Sequence, residues 1–228
     1  LGFIFDLSND AMTQKVSLNI SDETIKIFGD EAFMNPVDRE ELTLGYFGNR
    51  EIGLFDVSFG IRYDQIDTNG SITEHHEEEH HDEEEAHEEE EEEETTNYNF
   101  DTNSLSFSID LRRSLNENWD VNFGYSSLER VPSVVELFMN GPHLATGRFE
   151  VGNTNLATET SNNIDLGVSY ANDNFFASLS FFINDVDNYV YLMDMHEEEH
   201  HDEDEDHDEE EHEEGHLSLI HISEPTRQ

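Results

Sequence analysis

The 228-residue chain carries 56 acidic residues against 10 basic ones and a formal charge of −46. Such a charge excludes nucleic acid as a partner and favours cations. The chain has no Cys, hence neither a disulfide framework nor a thiolate metal site. No apolar run approaches the ~20 residues of a membrane helix, which leaves a membrane barrel open, because its signal per strand is far weaker.

In chain order, Leu1–Leu7 reads as a short strand ending in the turn-prone Ser8-Asn9-Asp10. Within residues 11–39, Lys15–Ile20 and Thr24–Phe28 fit either strands or parts of a structured loop. From Glu41 the pattern is clear: Leu42, Leu44 and Tyr46 alternate with Thr43, Gly45 and Phe47, the period of a strand with two different faces. Gly48-Asn49-Arg50-Glu51 is expected to turn the chain. Phe55, Val57, Phe59, Ile61 and Tyr63 then alternate with polar residues up to a long interruption, roughly Thr68–Asn97. Leu105, Phe107, Ile109 and Leu111 mark the next strand, and Asn116-Glu117-Asn118 leads into Trp119, Val121, Phe123 and Tyr125. A second long excursion ends in Ile164, Leu166, Val168 and Tyr170, and Ala171-Asn172-Asp173-Asn174 turns into a last strand, Phe175–Leu192.

A soluble β-sandwich alternates in the same way. Three features favour a membrane barrel. The strands run to ~10–18 residues, well beyond the usual 5–6. Their apolar faces are rich in aromatics, whereas the opposite faces carry Ser, Gly, Asn and Asp. Short and long connections alternate strictly, as periplasmic turns and extracellular loops do. Arg62 and Arg112 both lie on the polar parity; Arg113 breaks it, but beside a short turn from which its stem can snorkel.

Two segments are compositionally extreme. Glu74–Glu94 and His196–His216 together hold 29 of the 56 acids and eleven of the thirteen His. The imidazoles are His75, His76, His80, His81 and His87 in the first, and His196, His200, His201, His207, His212 and His216 in the second. Imidazole and carboxylate without sulfur suit Zn²⁺, Ni²⁺ or Cu²⁺, whereas carboxylate alone suits Ca²⁺ or Mg²⁺. The plainer reading is a solvated low-complexity loop that keeps a surface hydrated and negative. No G-x-S-x-G, H-E-x-x-H or phosphate-binding loop is present, so no enzyme is expected.

Residues Arg130–Phe138 read R-x-P-S-x-x-E-L-F, and after a long excursion Gly152–Asn163 read G-N-x-N-L-x-x-E-T-S-N-N. This stretch resembles a signature of TonB-dependent outer-membrane receptors. Within it, Asn140-Gly141-Pro142-His143-Leu144-Ala145-Thr146-Gly147 is similar to the zinc-receptor branch, as is Gly29-Asp30-Glu31-Ala32-Phe33. The pattern departs at Val131, where Ala is common, and at Leu156-Ala157-Thr158-Glu159, where Pro commonly precedes the Glu. Neither departure removes a candidate ligand.

The resemblance implies an all-β fold, a partial transmembrane antiparallel β-barrel over residues 1–216 without its plug, integral to the bacterial outer membrane. The segments 74–94 and 196–216 would be extracellular loops. It implies zinc as the transported ligand, the TonB complex as partner through a plug and TonB box outside this chain, and outer-membrane lipid as surroundings. It also implies His143 and Glu31 as metal ligands alongside absent plug residues. The recognisable strands are too few to close a large barrel. The chain opens on Leu1 without a signal peptide, expected to reflect a gene whose start is missing. Leu217–Arg227, LSLIHISEPTR, looks like a translated sequencing adapter, so residues 217–228 are expected to be artefact; the other reading is a native strand. Alternatives in function are a haem or siderophore receptor, with His143 as axial ligand, and a surface barrel that binds metal without importing it.

Dense carboxylates push His pKa values upward from ~6.5, so protons compete with metal at mildly acidic pH. Divalent metal binding by peptides covering the two His-rich segments is expected to fall steeply below about pH 6. Calorimetric zinc titration on either side of that value checks it, and binding retained well below it refutes it.

Overall fold

The computed structural model describes residues 1–29, 32–76, 92–143, 147–195 and 216–222; at 75–76, 92–93, 195 and 216–222 it describes the backbone alone. Eight strands form one antiparallel sheet: β1 (Gly2–Asp6), β2 (Thr13–Ile25), β3 (Val37–Ile52), β4 (Phe55–His76), β5 (Glu92–Ser114), β6 (Trp119–Arg130), then β9 (Glu159–Ala171) and β10 (Phe176–Asp187). Between β6 and β9 lie a short helix, α1 (Val134–Phe138), and a hairpin of β7 (Asn140–His143) and β8 (Arg148–Val151). The hairpin belongs to a second sheet with β11 (Val190–Met195) and β12 (His216–Ile222). The large sheet is open, with β1 and β10 as its two edges.

Four expectations about the elements change. Lys15–Ile20 and Thr24–Phe28 do not stand apart, because β2 runs unbroken from Thr13 to Ile25. Gly48–Glu51 is strand; the chain turns at Gly53-Leu54, where Gly53 takes the left-handed φ of 64° that a side chain disfavours. The interruption is shorter than Thr68–Asn97, since β4 and β5 stay paired as far as His76↔Glu92. The strand expected over Phe175–Leu192 breaks at Asn188, whose φ of 55° turns the backbone out of the large sheet into the small one.

The register shows where one apolar face begins and ends. Adjacent side chains along a strand take opposite faces, and Val16, Leu18 and Ile20 on β2 fall on the same face as Leu42, Leu44 and Tyr46 on β3. The face continues through Phe59, Ile61 and Tyr63, then Leu105, Phe107 and Ile109. It ends with Phe123 and Tyr125, Ile164 and Leu166, and Phe181 and Ile183. Most of these side chains are exposed in the isolated chain, Ile61 at 47% and Leu166 at 45%, while Val16, Leu18, Leu42, Tyr46, Phe59 and Tyr125 are half-buried among their neighbours on the wall. From Phe55 to Tyr63 the apolar row spans roughly 27 Å along the strand, enough for a tilted strand to cross an apolar band ~25 Å tall.

Above that band the faces exchange character. Outward positions become polar: Gln65, Asp67 and Asn69 on β4, Asn103 and Asp101 on β5. Higher on the inward face apolar side chains take over, with Ile25, Ile72, Tyr98 and Phe100 packed against the cluster formed by Met34, Val37, Val134, Leu137 and Phe138. One outward row is purely acidic: Asp22 opposes Glu40, Glu40 opposes Asp67, and Asp67 opposes Asp101. Directly opposed like charges repel, so the row belongs in the wet headgroup layer, where the dielectric is high. The upper end of the apolar row is level from β2 to β3, then drops relative to the register between β3 and β4 and again between β5 and β6. A membrane plane crosses a sheared barrel wall in this oblique way.

The opposite end is marked by aromatic rings beside the short turns. Trp119 lies 5.0 Å from Tyr170, and Tyr170 lies 6.2 Å from Phe175. Arg113 faces outward there, and its guanidinium sits 5.5 Å from the Phe55 ring centre, the cation–π arrangement open to a snorkelling side chain. The backbone of β12 pairs antiparallel with β11 and parallel with β8. Such pairing needs only an open strand edge, so it bears on the geometry of residues 217–222 and not on their origin; residues 223–228 lie outside the described residues.

Phe138 is the centre of the inner cluster. It is 1% exposed, and Tyr98 and Phe100 flank it with ring centres at 6.2 and 5.9 Å. It lies over Gly70, where an added Cβ would come within 2.7 Å of the ring. Phe138→Ala is expected to cost about 3–5 kcal/mol of local stability and Gly70→Val to displace the ring. Accelerated amide exchange over residues 133–156, with the apolar band unchanged, is the expected readout for both.

Candidate functional site

The signature forms a joint. Pro132 precedes Ser133, whose hydroxyl caps α1 by accepting from the Glu136 amide at 3.3 Å, while the Glu136 carboxylate accepts from the Ser133 amide at 2.7 Å. This reciprocal capping box satisfies two amides that a helix start leaves without partners. Arg130, the last residue of β6, donates to Glu136 at 2.9 and 3.0 Å and to Glu159, the first residue of β9, at 3.3 and 3.5 Å. Glu159 also accepts from the Val190 amide at 3.1 Å, where the chain passes into β11. The return path crosses the end of α1 through Gly152, which donates to the Met139 carbonyl at 2.6 Å, and Asn153, which donates to that of Glu136 at 2.9 Å. Departing strand, helix and returning strand are thus tied at one guanidinium.

From this joint the chain projects β7 and β8. Asn140 fixes the start of the hairpin: its side chain donates to the Thr73 carbonyl on β4 at 3.0 Å and its amide to the Phe33 carbonyl at 2.7 Å. His143 ends β7. Its Nδ1 lies 3.0 Å from Oε1 of Glu150 on β8, and its ring centre lies 5.2 Å from that of Phe33. Glu150 is 4% exposed. The site therefore joins an imidazole and a buried carboxylate against an aromatic ring.

Of the residues expected to bind metal, the structure places His143 fully. Glu31 lies outside the described residues, but Phe33, two positions along the chain, touches the His143 ring. His75 and His76 end β4, and His216 begins β12, each described by backbone alone. His80, His81, His87, His196, His200, His201, His207 and His212 lie outside the described residues. No group of three or more metal-ligating side chains converges among the described residues.

Glu150 escaped sequence reasoning because Asn140–Gly147 reads as loop. The signal was present: a hairpin closing at Gly147 sets His143 opposite Arg148 and Gly141 opposite Glu150, which puts His143 and Glu150 on one face. A second polar cluster lies on the inner wall below α1, lining a cleft of about 240 Å³. There Arg62 binds Asp64 at 2.8 Å and Glu41 at 3.4 Å, and Ser104 donates to Asp64 at 3.1 Å. Glu41 and Asp64 already face arginines, so they form a paired network rather than a cation site.

Burial alone would raise the Glu136 carboxyl, but the Ser133 amide and the Arg130 guanidinium outweigh it and hold it below its ordinary 4.5. Burial likewise disfavours the Arg130 charge, and the bonds from Glu159 and Glu136 more than restore it. A depressed carboxylate contributes stability that is present above its unfolded value and lost as pH falls through the folded one. The protection of amides 133–139, taken relative to unstructured peptide at the same pH, is therefore expected to be flat at neutral pH and to fall below about 4.5. In Glu136→Gln the loop should exchange faster at neutral pH and lose that acid step.

Residues 10–196 match the family described as TonB dependent receptor-like, beta-barrel. Among solved structures the fold is similar to the haemophore receptor HasR of Serratia marcescens, at 17% identity and a TM-score of 0.57 over 85% of this chain and 33% of that one. It is also similar to the FrpB iron transporter of Neisseria meningitidis, at 15% identity and a TM-score of 0.52 over 83% of this chain and 27% of that one. The chain thus spans a third or less of the length of these receptors. A lipid-facing wall of paired strands, a loop joint built on the signature and a family match over most of the chain agree: the protein belongs to the TonB-dependent receptor β-barrel family, integral to the outer membrane.

Proposed function

We propose that this chain is part of the barrel of a receptor that imports a divalent metal ion, zinc foremost. One observation carries the reading. The two segments resembling the zinc-receptor branch are more than a hundred residues apart in sequence, yet they meet through the Asn140–Phe33 hydrogen bond and the His143–Phe33 ring contact. A ligand from each, His143 and Glu31, would then serve one ion, completed by plug residues outside this chain. Imidazole with carboxylate and no sulfur suits zinc. The His-rich segments 74–94 and 196–216 would gather ions at the surface through many weak sites, since each clamped ion orders chain. The plug, rearranged through TonB, would release the ion inward. The ion is bound and released through its ligands, and no covalent bond of a substrate changes.

A second reading is import of an iron-bearing ligand. HasR was solved with its haemophore and haem, and FrpB is described as an iron transporter. His143 against an aromatic ring is also a plausible geometry for a haem axial donor.

The test is uptake of labelled zinc by cells that lack their own zinc receptor and express the intact gene, with and without TonB. Saturable, TonB-dependent uptake is expected, reduced at least about tenfold at limiting zinc by His143→Ala. Deleting 74–94 should slow uptake only when zinc is scarce. Correct membrane insertion without zinc uptake rejects zinc and moves haem and siderophores to the front.

A further inference from the structure

We infer that Glu150 is a positioning residue that fixes the orientation and tautomer of His143; the inference rests on the reading of His143 as a metal ligand. The β7–β8 register makes the two residues diagonal neighbours on one hairpin face, with His143 opposite Arg148 and Gly141 opposite Glu150. Their polar atoms meet at 3.0 Å.

A carboxylate oxygen placed at Nδ1 favours the tautomer that carries the hydrogen on Nδ1 and the lone pair on Nε2. Free imidazole in water favours the opposite tautomer. The ring plane is held from a second side by Phe33, tilted 42° at 5.2 Å. Rotation is thus limited by a hydrogen bond at one edge and an aromatic contact at one face. Metal-bound histidines commonly donate their other N–H to a carboxylate in this manner, which sets the tautomer and raises ligand basicity.

Burial decides between positioning and direct ligation. The Glu150 side chain is 5% exposed and that of His143 35%. A hydrated ion approaching the hairpin meets imidazole first, and the carboxylate lies behind it. A buried carboxylate is costly unless paired, and the His143 ring is one of the groups that Glu150 meets.

The test uses the intact receptor in detergent, with zinc ion alone as probe, at neutral pH. Glu150→Ala is expected to weaken zinc binding about 10–100-fold, whereas Glu150→Gln, which keeps an accepting oxygen, stays close to the unsubstituted receptor. Nitrogen-15 spectra of labelled histidine, assigned with His143→Gln, should show the Nδ1-protonated tautomer without metal and its loss in Glu150→Ala. Equal weakening by Glu150→Gln and Glu150→Ala would make Glu150 a ligand and overturn the positioning role. The opposite tautomer in the unsubstituted receptor would overturn it whether or not zinc binds. Zinc binding unaltered in His143→Ala would instead overturn the zinc reading at His143, an outcome distinct from unaltered binding in Glu150→Ala alone.

Discussion

A strand crossing a bilayer has no water to satisfy its backbone, so every amide and carbonyl in the band must pair with a neighbouring strand. That constraint fixes the register, and the register fixes which face each side chain takes. Everything else here follows from how the sequence uses those two faces. Within the band, apolar residues look outward and polar ones inward; above it, the assignments reverse and the apolar side chains cover α1. The same strands thus serve as a lipid wall at one height and as the floor of a loop core at the next. Phe138 over Gly70 is the point where that floor and the loop meet.

The reversal explains which parts of the fold were legible in the sequence. Alternation was plain where apolar residues outlined one face, as at Leu105–Leu111 or Trp119–Tyr125. It was lost where the face changed, so Thr68–His76 and Glu92–Asn97 read as interruption although they are paired. The misplaced turn at Gly48–Glu51 arose from turn-prone residue types inside a strand whose partner continues to Phe55. The break at Asn188 shows in the sequence only as Asp185 and Asp187, which disturb the alternation just before one left-handed residue redirects the chain.

The site divides along the same line. His143 was legible because it stands in a specific motif. Glu150 was not, because its significance depends on a hairpin register and on burial, neither of which a motif records. Arg130, Glu136 and Glu159 were visible as signature letters, but their task was not. Joined in space, they hold the departing strand, the helix and the returning strand in one charge-assisted network. The signature is therefore a hinge pin for the loop, and the candidate ligand is carried at a fixed height and angle above it.

The acidic row Asp22–Glu40–Asp67–Asp101 has a bearing on how the wall sits in its membrane. Sliding the sheet inward by a single turn of the pleat would carry four facing carboxylates toward hydrocarbon, each stripped of water beside another like charge. Sliding it outward would draw Phe, Leu and Ile rings and chains into water. The row works as a waterline painted on a hull: it lets the barrel float at one depth only, and so sets how far the loop joint and its histidine stand above the lipid.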